Sequence, residues 1–425
     1  MRRRMITSAG AAGMALALVL TACGGEEKAA DGPVTLTMSA WSLDTTPEFR
    51  TLADAFHAAN PDITVELKEY DPDNYDTQLT ADLSAGNAPD VYVLKNLKNF
   101  VTYQAGEQLL DVSDVAGKLG DDVSGKDLYT VDGTTFAVPY RQDSWFLFYN
   151  KDLFAKAGVP LPDGSWTWDD YTEAAQQITA KAAPAKGAYT HTWQSTVQGF
   201  ALAQSKGADL ESANYDFFAP YYKRALSMQD AGTQVDFGTA TTNKLQYQAE
   251  FGTQKAGMML MGSWYVATLI AQQASGEAQP FDWSIAPAPQ VNGSTKDNPV
   301  TFGDPTGLGV NAGIDEAKID AAKKFLAFAA GAQGALALAK IGVTPAAVTD
   351  AVTDAYFSVK GAPDDELART TFAKHDTHPE NPVSESTAAL QNILSEMHTA
   401  IMSRSTPVDE AITEAEQRAK SEIGN

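Results

Sequence analysis

The chain has 425 residues, 54 of them acidic against 31 basic, and a formal net charge of −23. So acidic a surface excludes electrostatic binding to nucleic acid and docking onto anionic lipid, and a single cysteine excludes any disulfide within the chain. The length exceeds what one hydrophobic core ordinarily holds, so two large domains are expected.

Arg2, Arg3 and Arg4 open the chain, and an apolar run at 11–20 follows that is too short to span a bilayer. Next comes Leu20-Thr21-Ala22-Cys23, then Gly24, Gly25 and a polar run to Asp31. The tetrapeptide resembles a bacterial lipobox. That resemblance implies cleavage before Cys23 and a diacylglycerol on its thiol, with 1–22 as lipoprotein signal peptide and 23–32 as a flexible tether. An ordinary signal peptide whose apolar region happens to end at a cysteine is the bland alternative. With its only cysteine used as an anchor, the protein has none left for catalysis or a thiolate metal site. No later apolar run reaches ~18 residues, so attachment to a membrane is expected through the lipid alone.

Residues 34–41 alternate as a first strand. The window 48–59 places Phe49, Leu52, Ala53 and Phe56 at helical spacing and stops at Asn60-Pro61. A second strand is expected at 63–70, a second helix at 75–85 ending at Gly86, and a third strand at 89–94. Strands alternating with helices predict a parallel sheet with right-handed crossovers. Ligands of such sheets sit at the carboxyl ends of the strands, which here are 41–44, 70–71 and 95–96.

The stretch 136–154 is the most informative. A β-rich run ends at Pro139-Tyr140, since proline cannot donate to a central ladder. Arg141, Gln142 and Asp143 then form a polar island before the continuous apolar run 145–149, which reads as a strand buried on both faces. Asn150 or Asp152 caps the helix that follows. Charges pinned between two buried strands either pair with each other or line a cleft that the chain crosses there.

Beyond it the chain is helical and loop-rich. Thr167 is expected to cap a helix, 215–231 and 242–252 to be helical, 256–261 to be a short buried strand and 283–286 another. The glycine-rich stretch 300–310 again sets polar residues, Gly303 and Asp304, among apolar ones, and it reads as a return crossing. Helices are expected at 318–329, 332–341, 387–402 and 408–422.

Signatures of catalysis are missing: no phosphate loop, no nucleophile elbow and no zinc-binding His-Glu-x-x-His. No cofactor and no metal is expected. The acids at 71–76 lack the glycine and distal glutamate of a calcium loop and read as a solvated loop. Asp143 and Asp304 could form the carboxylate pair of a glycosidase, which is the enzyme alternative. The richer constellation is aromatic. Trp41, Tyr140, Trp193 and Trp264 lie next to strand ends or loops, with Asp44, Arg141, Asp143, Gln194 and Ser263 beside them. Aromatic rings cover the C–H face of a pyranose while such polar groups take its hydroxyls. Each tryptophan alone is better explained as core; Trp145, Trp166, Trp168 and Trp283 are assigned to core or cap packing.

The lipobox, 88–92, Val138-Pro139-Tyr140, 148–154, 166–170 and 256–264 together resemble extracellular solute-binding proteins of family 1, the sugar-binding lipoproteins of ABC importers related to maltose-binding protein. The resemblance spans nearly the whole mature chain in the expected order. It implies a two-lobed α/β fold of the type II periplasmic-binding-protein kind, with parallel-rich sheets flanked by helices. Lobe one would hold 33–140 and 305–348, and lobe two 143–302 and 350–425, with hinges near 140–143, 303–305 and 348–350. It also implies an oligosaccharide bound between the lobes, closure around it, presentation to permease subunits, a monomer, and a lipid-anchored place on the outer face of the cell membrane. An alanine-rich acidic lipoprotein suits a Gram-positive surface. By position, the resemblance assigns ligand contacts to Trp41, Asp44, Asn96, Tyr140, Arg141, Asp143, Trp193, Trp264, Gly303 and Asp304. Many relatives have a second glycine where Asp304 stands, and an extra acid there keeps open a cationic or peptide solute.

Overall fold

The computed structural model describes residues 32–72 and 74–423. The expected signal peptide, the expected lipid anchor at Cys23 and the expected tether up to residue 31 lie outside the described residues. Thirteen strands are formed among the described residues: β1 (Val34–Trp41), β2 (Ile63–Tyr70), β3 (Val91–Leu94), β4 (Thr130–Val131), β5 (Thr134–Thr135), β6 (Ala137–Gln142), β7 (Trp145–Asn150), β8 (Lys186–Tyr189), β9 (Ala256–Gly262), β10 (Trp283–Pro287), β11 (Val300–Phe302), β12 (Pro305–Val310) and β13 (Asp376–His378).

Two sheets organise the chain. One has the order β2-β1-β3-β12-β6, the other β10-β7-β9-β8. In the first, β1 runs parallel to β2 and β3, as alternating strands and helices predict. The return strand β12 then inserts antiparallel between β3 and β6. In the second, β7 is antiparallel to both β10 and β9, and only β8 and β9 are parallel. The sheets are therefore mixed rather than parallel-rich. The antiparallel pairs come from chain that enters each sheet from the other half of the sequence, which local alternation does not report. Strand β6 also runs on through Pro139 instead of ending there. It is the last strand of its sheet, and the ladder slips at Thr306/Gly307, opposite the proline. An edge strand with a bulge is where proline is tolerated.

Local chemistry sets the element ends. Asn150 Oδ1 accepts from Leu153 N and caps the helix Lys151–Ala157. Thr167 and Asp170 form a reciprocal capping box on Trp168–Lys181, an arrangement that satisfies two otherwise orphan donors. The helix Glu48–Ala59 buries Phe49, Leu52, Ala53 and Phe56. Phe56 meets Phe325 and Phe328 edge-on at 5.1 and 5.4 Å. Burying each such aromatic side chain stabilises the fold by roughly 1.5–3 kcal/mol. Where the expectations placed one helix at 215–231, a 3-10 turn at 216–218 precedes the helix Ala219–Asp230. Of the stretch expected to be helical at 242–252, only Tyr247–Gly252 and Thr242, the last residue of the separate helix Phe237–Thr242, are helical.

The buried apolar side chains form two separate cores. The first gathers β1, β2, β3, β6 and β12 with residues up to Val343. The second gathers β7, β8, β9 and β10 with the C-terminal helices from residue 346 on. The chain passes between them at 143–144, at 303–304 and at 344–345. The first two passages touch. A Cβ placed on Gly303 would stand 2.0 Å from the Asp143 carbonyl oxygen, so only glycine lets the two segments lie this close. The third runs alongside, with Ala346 N donating to Tyr140 O at 3.1 Å. Gly303→Ala is expected to force the two backbones apart and to destabilise the chain by about 1–3 kcal/mol, the usual cost of overpacking. Urea denaturation with an unchanged midpoint would contradict that close approach.

Candidate functional site

The polar island at 141–143 builds an ion network at the first passage. Arg141 lies between Glu48, 2.5 Å from its Nη1, and Asp143, 2.7 Å from its Nε. Tyr140 Oη donates to the other Glu48 oxygen at 2.9 Å. Ser263 Oγ donates to Asp143 at 2.8 Å. All five side chains are buried. Burial works against charge on Arg141, but Asp143 and Glu48 more than offset it and raise its pKa above the ordinary value. Burial also lifts the Asp143 carboxyl above the usual carboxylate range, against the pull of Arg141 and Ser263. Glu48 opens the first-core helix Glu48–Ala59 and Ser263 follows β9, so the network ties both cores to the passage.

Ser263 leads directly into an aromatic cluster. Trp264 begins the helix Trp264–Ser275, and its ring lies across Gly262, where a Cβ would stand 1.9 Å from it. Trp264 meets Trp145 edge-on at 5.5 Å and tilts toward Trp193 at 6.4 Å. Its Nε1 donates to Tyr247 Oη at 3.3 Å. Trp193 rests on His191 at 4.5 Å and Tyr247 at 5.6 Å. It is nevertheless 42% exposed, while Trp264 is partly exposed. Burial pushes the His191 imidazole down to about 4, so it is a neutral support at physiological pH. Exposed indoles held by buried rings form a rigid apolar surface in contact with solvent.

On the first core, Trp41 stands at the end of β1 against Phe49 at 4.7 Å and Tyr75 at 5.2 Å, with Lys95 Nζ 4.8 Å over its ring. Asp44 is exposed in the following turn. Asn96 is partly buried, and its Oδ1 accepts from Lys98 N at 3.0 Å. The second passage has its own lock. Asp304, 8% exposed, accepts from Leu97 N, Glu380 N, Asn381 N and Asn381 Nδ2, the last at 2.6 Å. Burial, together with the charge of Asp304, pushes the Glu380 carboxyl up to about 7.

The candidates thus separate into two kinds. Trp41, Asp44, Asn96, Trp193 and Trp264 keep surface open to solvent. Tyr140, Arg141, Asp143 and Asp304 do not: Tyr140 is 1% exposed, and each is held by a hydrogen bond or an ion pair within the protein. Gly303 serves the close approach of the backbones. Sequence reasoning missed Glu48, Tyr247 and His191. Glu48 reads as an ordinary acid in a first helical turn, and Tyr247 reads as one more ring within an expected helix. A cavity of about 330 Å³ also adjoins the passages, and of the candidate residues only Gly303 lines it. Among the described residues, no three His, Cys, Asp or Glu side chains gather to hold a metal ion, and no helix is long and apolar enough to cross a membrane.

A family model for bacterial extracellular solute-binding proteins matches residues 41–336, and the chain belongs to that family. A solved structure from Rhizobium etli, described as a sugar transporter in an open conformation, superposes with a TM-score of 0.78 at 30% identity, over 91% of this chain and 99% of that one. The fold is accordingly the two-lobed type II fold of solute-binding proteins. The diacetylchitobiose binding protein DasA of Streptomyces coelicolor is 27% identical over 437 aligned positions, 97% of this chain and 96% of its own. A binding protein of Brucella abortus is 26% identical over 288 residues, so the chain spans 63% of that relative's length. The family and these relatives are binding proteins rather than enzymes.

Removing Arg141 would leave two carboxylates buried without their cation, which ordinarily costs about 3–5 kcal/mol. Arg141→Met is expected to lower unfolding free energy by that amount, and a loss under about 1 kcal/mol would contradict the buried network. Glu380 binds its proton more tightly folded than unfolded. Its stabilising contribution is present below the ordinary value of 4.5 and is lost as pH rises through about 7. Glu380→Gln should therefore gain stability relative to the parent as pH rises across that window, measured by denaturant titration at several pH values. A difference that does not change with pH would contradict it.

Proposed function

We propose that the chain is the substrate-binding lipoprotein of an ABC importer and binds an oligosaccharide against the Trp193–Trp264 surface. The observation that carries this reading is a pair of solvent-facing indoles, fixed by His191, Tyr247 and Trp145, directly beside the passages between two cores. Indole faces suit the C–H face of a pyranose, and rings locked in place lose little entropy on binding. The Rhizobium etli chain is described as a sugar transporter and the Streptomyces coelicolor relative as a diacetylchitobiose binding protein, which supports a sugar here.

In this reading Trp41, Asp44 and Asn96 contact the sugar from the first lobe, and Trp193 and Trp264 from the second. Tyr140, Arg141, Asp143, Gly303 and Asp304 hold the passages rather than the ligand. The hinges are 143–144, 303–304 and 344–345. A ligand touching both lobes favours the closed form by its differential affinity for it, and that form is presented to the permease. Cys23 anchors the protein by lipid to the outer face of a cell membrane, with a Gram-positive host and a monomer as the simplest assignment. A cationic solute and a glycosidase both relied on Asp143 and Asp304, and both carboxylates are already committed to protein partners.

Calorimetry against a panel of mono- and oligosaccharides, including diacetylchitobiose, tests this. Sugar binding without product formation is expected. Binding of peptides or polyamines in its place would sink the reading. Trp264→Ala is expected to weaken sugar binding more than tenfold, or about 1.4 kcal/mol, with Trp166→Ala leaving affinity unchanged. The reverse pattern would remove Trp264 from the site.

A further inference from the structure

The crossing chain has two faces. Side chains of extended backbone alternate, so Arg141 and Asp143 turn to one face and Gln142 and Ser144 to the other. The first pair builds the ion network. The second pair lines the cavity of about 330 Å³. That volume falls within the range of small-ligand sites, about 300–1,000 Å³. Ser124 and Leu128 close it on one side, before β6; Phe372 and His375 close it on the other, at the end of the helix Glu366–Ala373. Gly303, Thr344 and Pro345 also line it, so an occupant would meet all three passages at once.

The polar groups have defined directions. His375 Nδ1 lies 2.9 Å from the Thr371 carbonyl oxygen, which makes Nδ1 the protonated nitrogen and Nε2 an acceptor. The Ser144 hydroxyl, 2.9 Å away, therefore donates to Nε2. Thr377 Oγ1, 2.7 Å from Ser144 Oγ, must then donate to Ser144. Its lone pairs are left to accept. Gln142 Nε2 donates to the carbonyls of Asp143 and Gly303, at 3.0 and 3.3 Å, which turns its Oε1 toward Gly125 on the cavity wall. The lining contains no Asp, Glu, Lys or Arg side chain. It offers acceptors from Thr377 and Gln142 beside the apolar surfaces of Leu128, Pro345 and Phe372.

We propose that this cavity is a second binding site, separate from the aromatic surface, for a small uncharged polyhydroxy compound. Hydroxyl donors of such a ligand match the acceptors, its C–H groups match the apolar walls, and an ion would lose its hydration there without a counter-charge. The proposal does not depend on what the Trp193–Trp264 surface binds.

Methyl NMR on the full mature chain tests it, with erythritol, xylitol, sorbitol and myo-inositol as probes. Saturable shifts are expected at the methyls of Thr344, Val348 and Thr377 with at least one probe. They should persist in Trp264→Ala. They should vanish in Val348→Trp, which fills the cavity from a position that is 38% exposed and so tolerates a larger side chain. Shifts at those methyls that never saturate with any probe would overturn the proposal. So would shifts that survive Val348→Trp but disappear in Trp264→Ala, because the polyol would then occupy the aromatic surface.

Discussion

Three buried charges set the architecture. Arg141 is clasped by Glu48 from the first core and by Asp143 at the passage toward the second. A buried ion pair contributes little net stability compared with a well-packed apolar substitute, but it is strongly directional and fails badly when one partner is lost. Placed where the chain leaves one core for the other, that directionality fixes how the passage emerges from β6. It also fixes where Ser263 and therefore Trp264 must stand. Asp304 does the same at the second passage, drawing backbone from residue 97 of the first core and 380–381 of the second onto one carboxylate. The polar residues that look like ligand groups in the sequence are held by protein partners at the crossing. The rings they position are the surface that faces solvent.

This division follows from the cost of leaving polar groups unpaired. A carboxylate that must release its partner to take a sugar hydroxyl would exchange a short buried contact for a weaker one. A half-exposed indole gives up only water. On the proposed function, a sugar bound at the aromatic surface beside a fastened passage would let the lobes rearrange without breaking the network that joins them.

Much of the fold is legible in the sequence because its signals are local. The run Trp145–Tyr149 is apolar and is buried along its whole length. Thr167 caps its helix as its spacing with Asp170 predicts, and Thr387–Met402 and Val408–Glu422 have the bounds that periodicity gives. What is not legible is long-range. Nothing local announces that Glu48 will meet an arginine 93 positions away, or that β12 will insert antiparallel. β13 is the sequence Asp-Thr-His, with no apolar pattern at all, and it exists because β11 offers it a ladder. For the site, the positions of Trp193 and Trp264 beside polar neighbours are readable. Burial of Tyr140, Arg141, Asp143 and Asp304 is not, since a polar island between strands looks the same whether its charges face a ligand or one another.

A crystal structure of the chain with a bound sugar tests the central claim most directly. The account predicts a pyranose ring lying on the indoles of Trp193 and Trp264, with Arg141 still held between Glu48 and Asp143. A sugar seated away from both indoles, with its hydroxyls on Asp143 or Asp304, would contradict it.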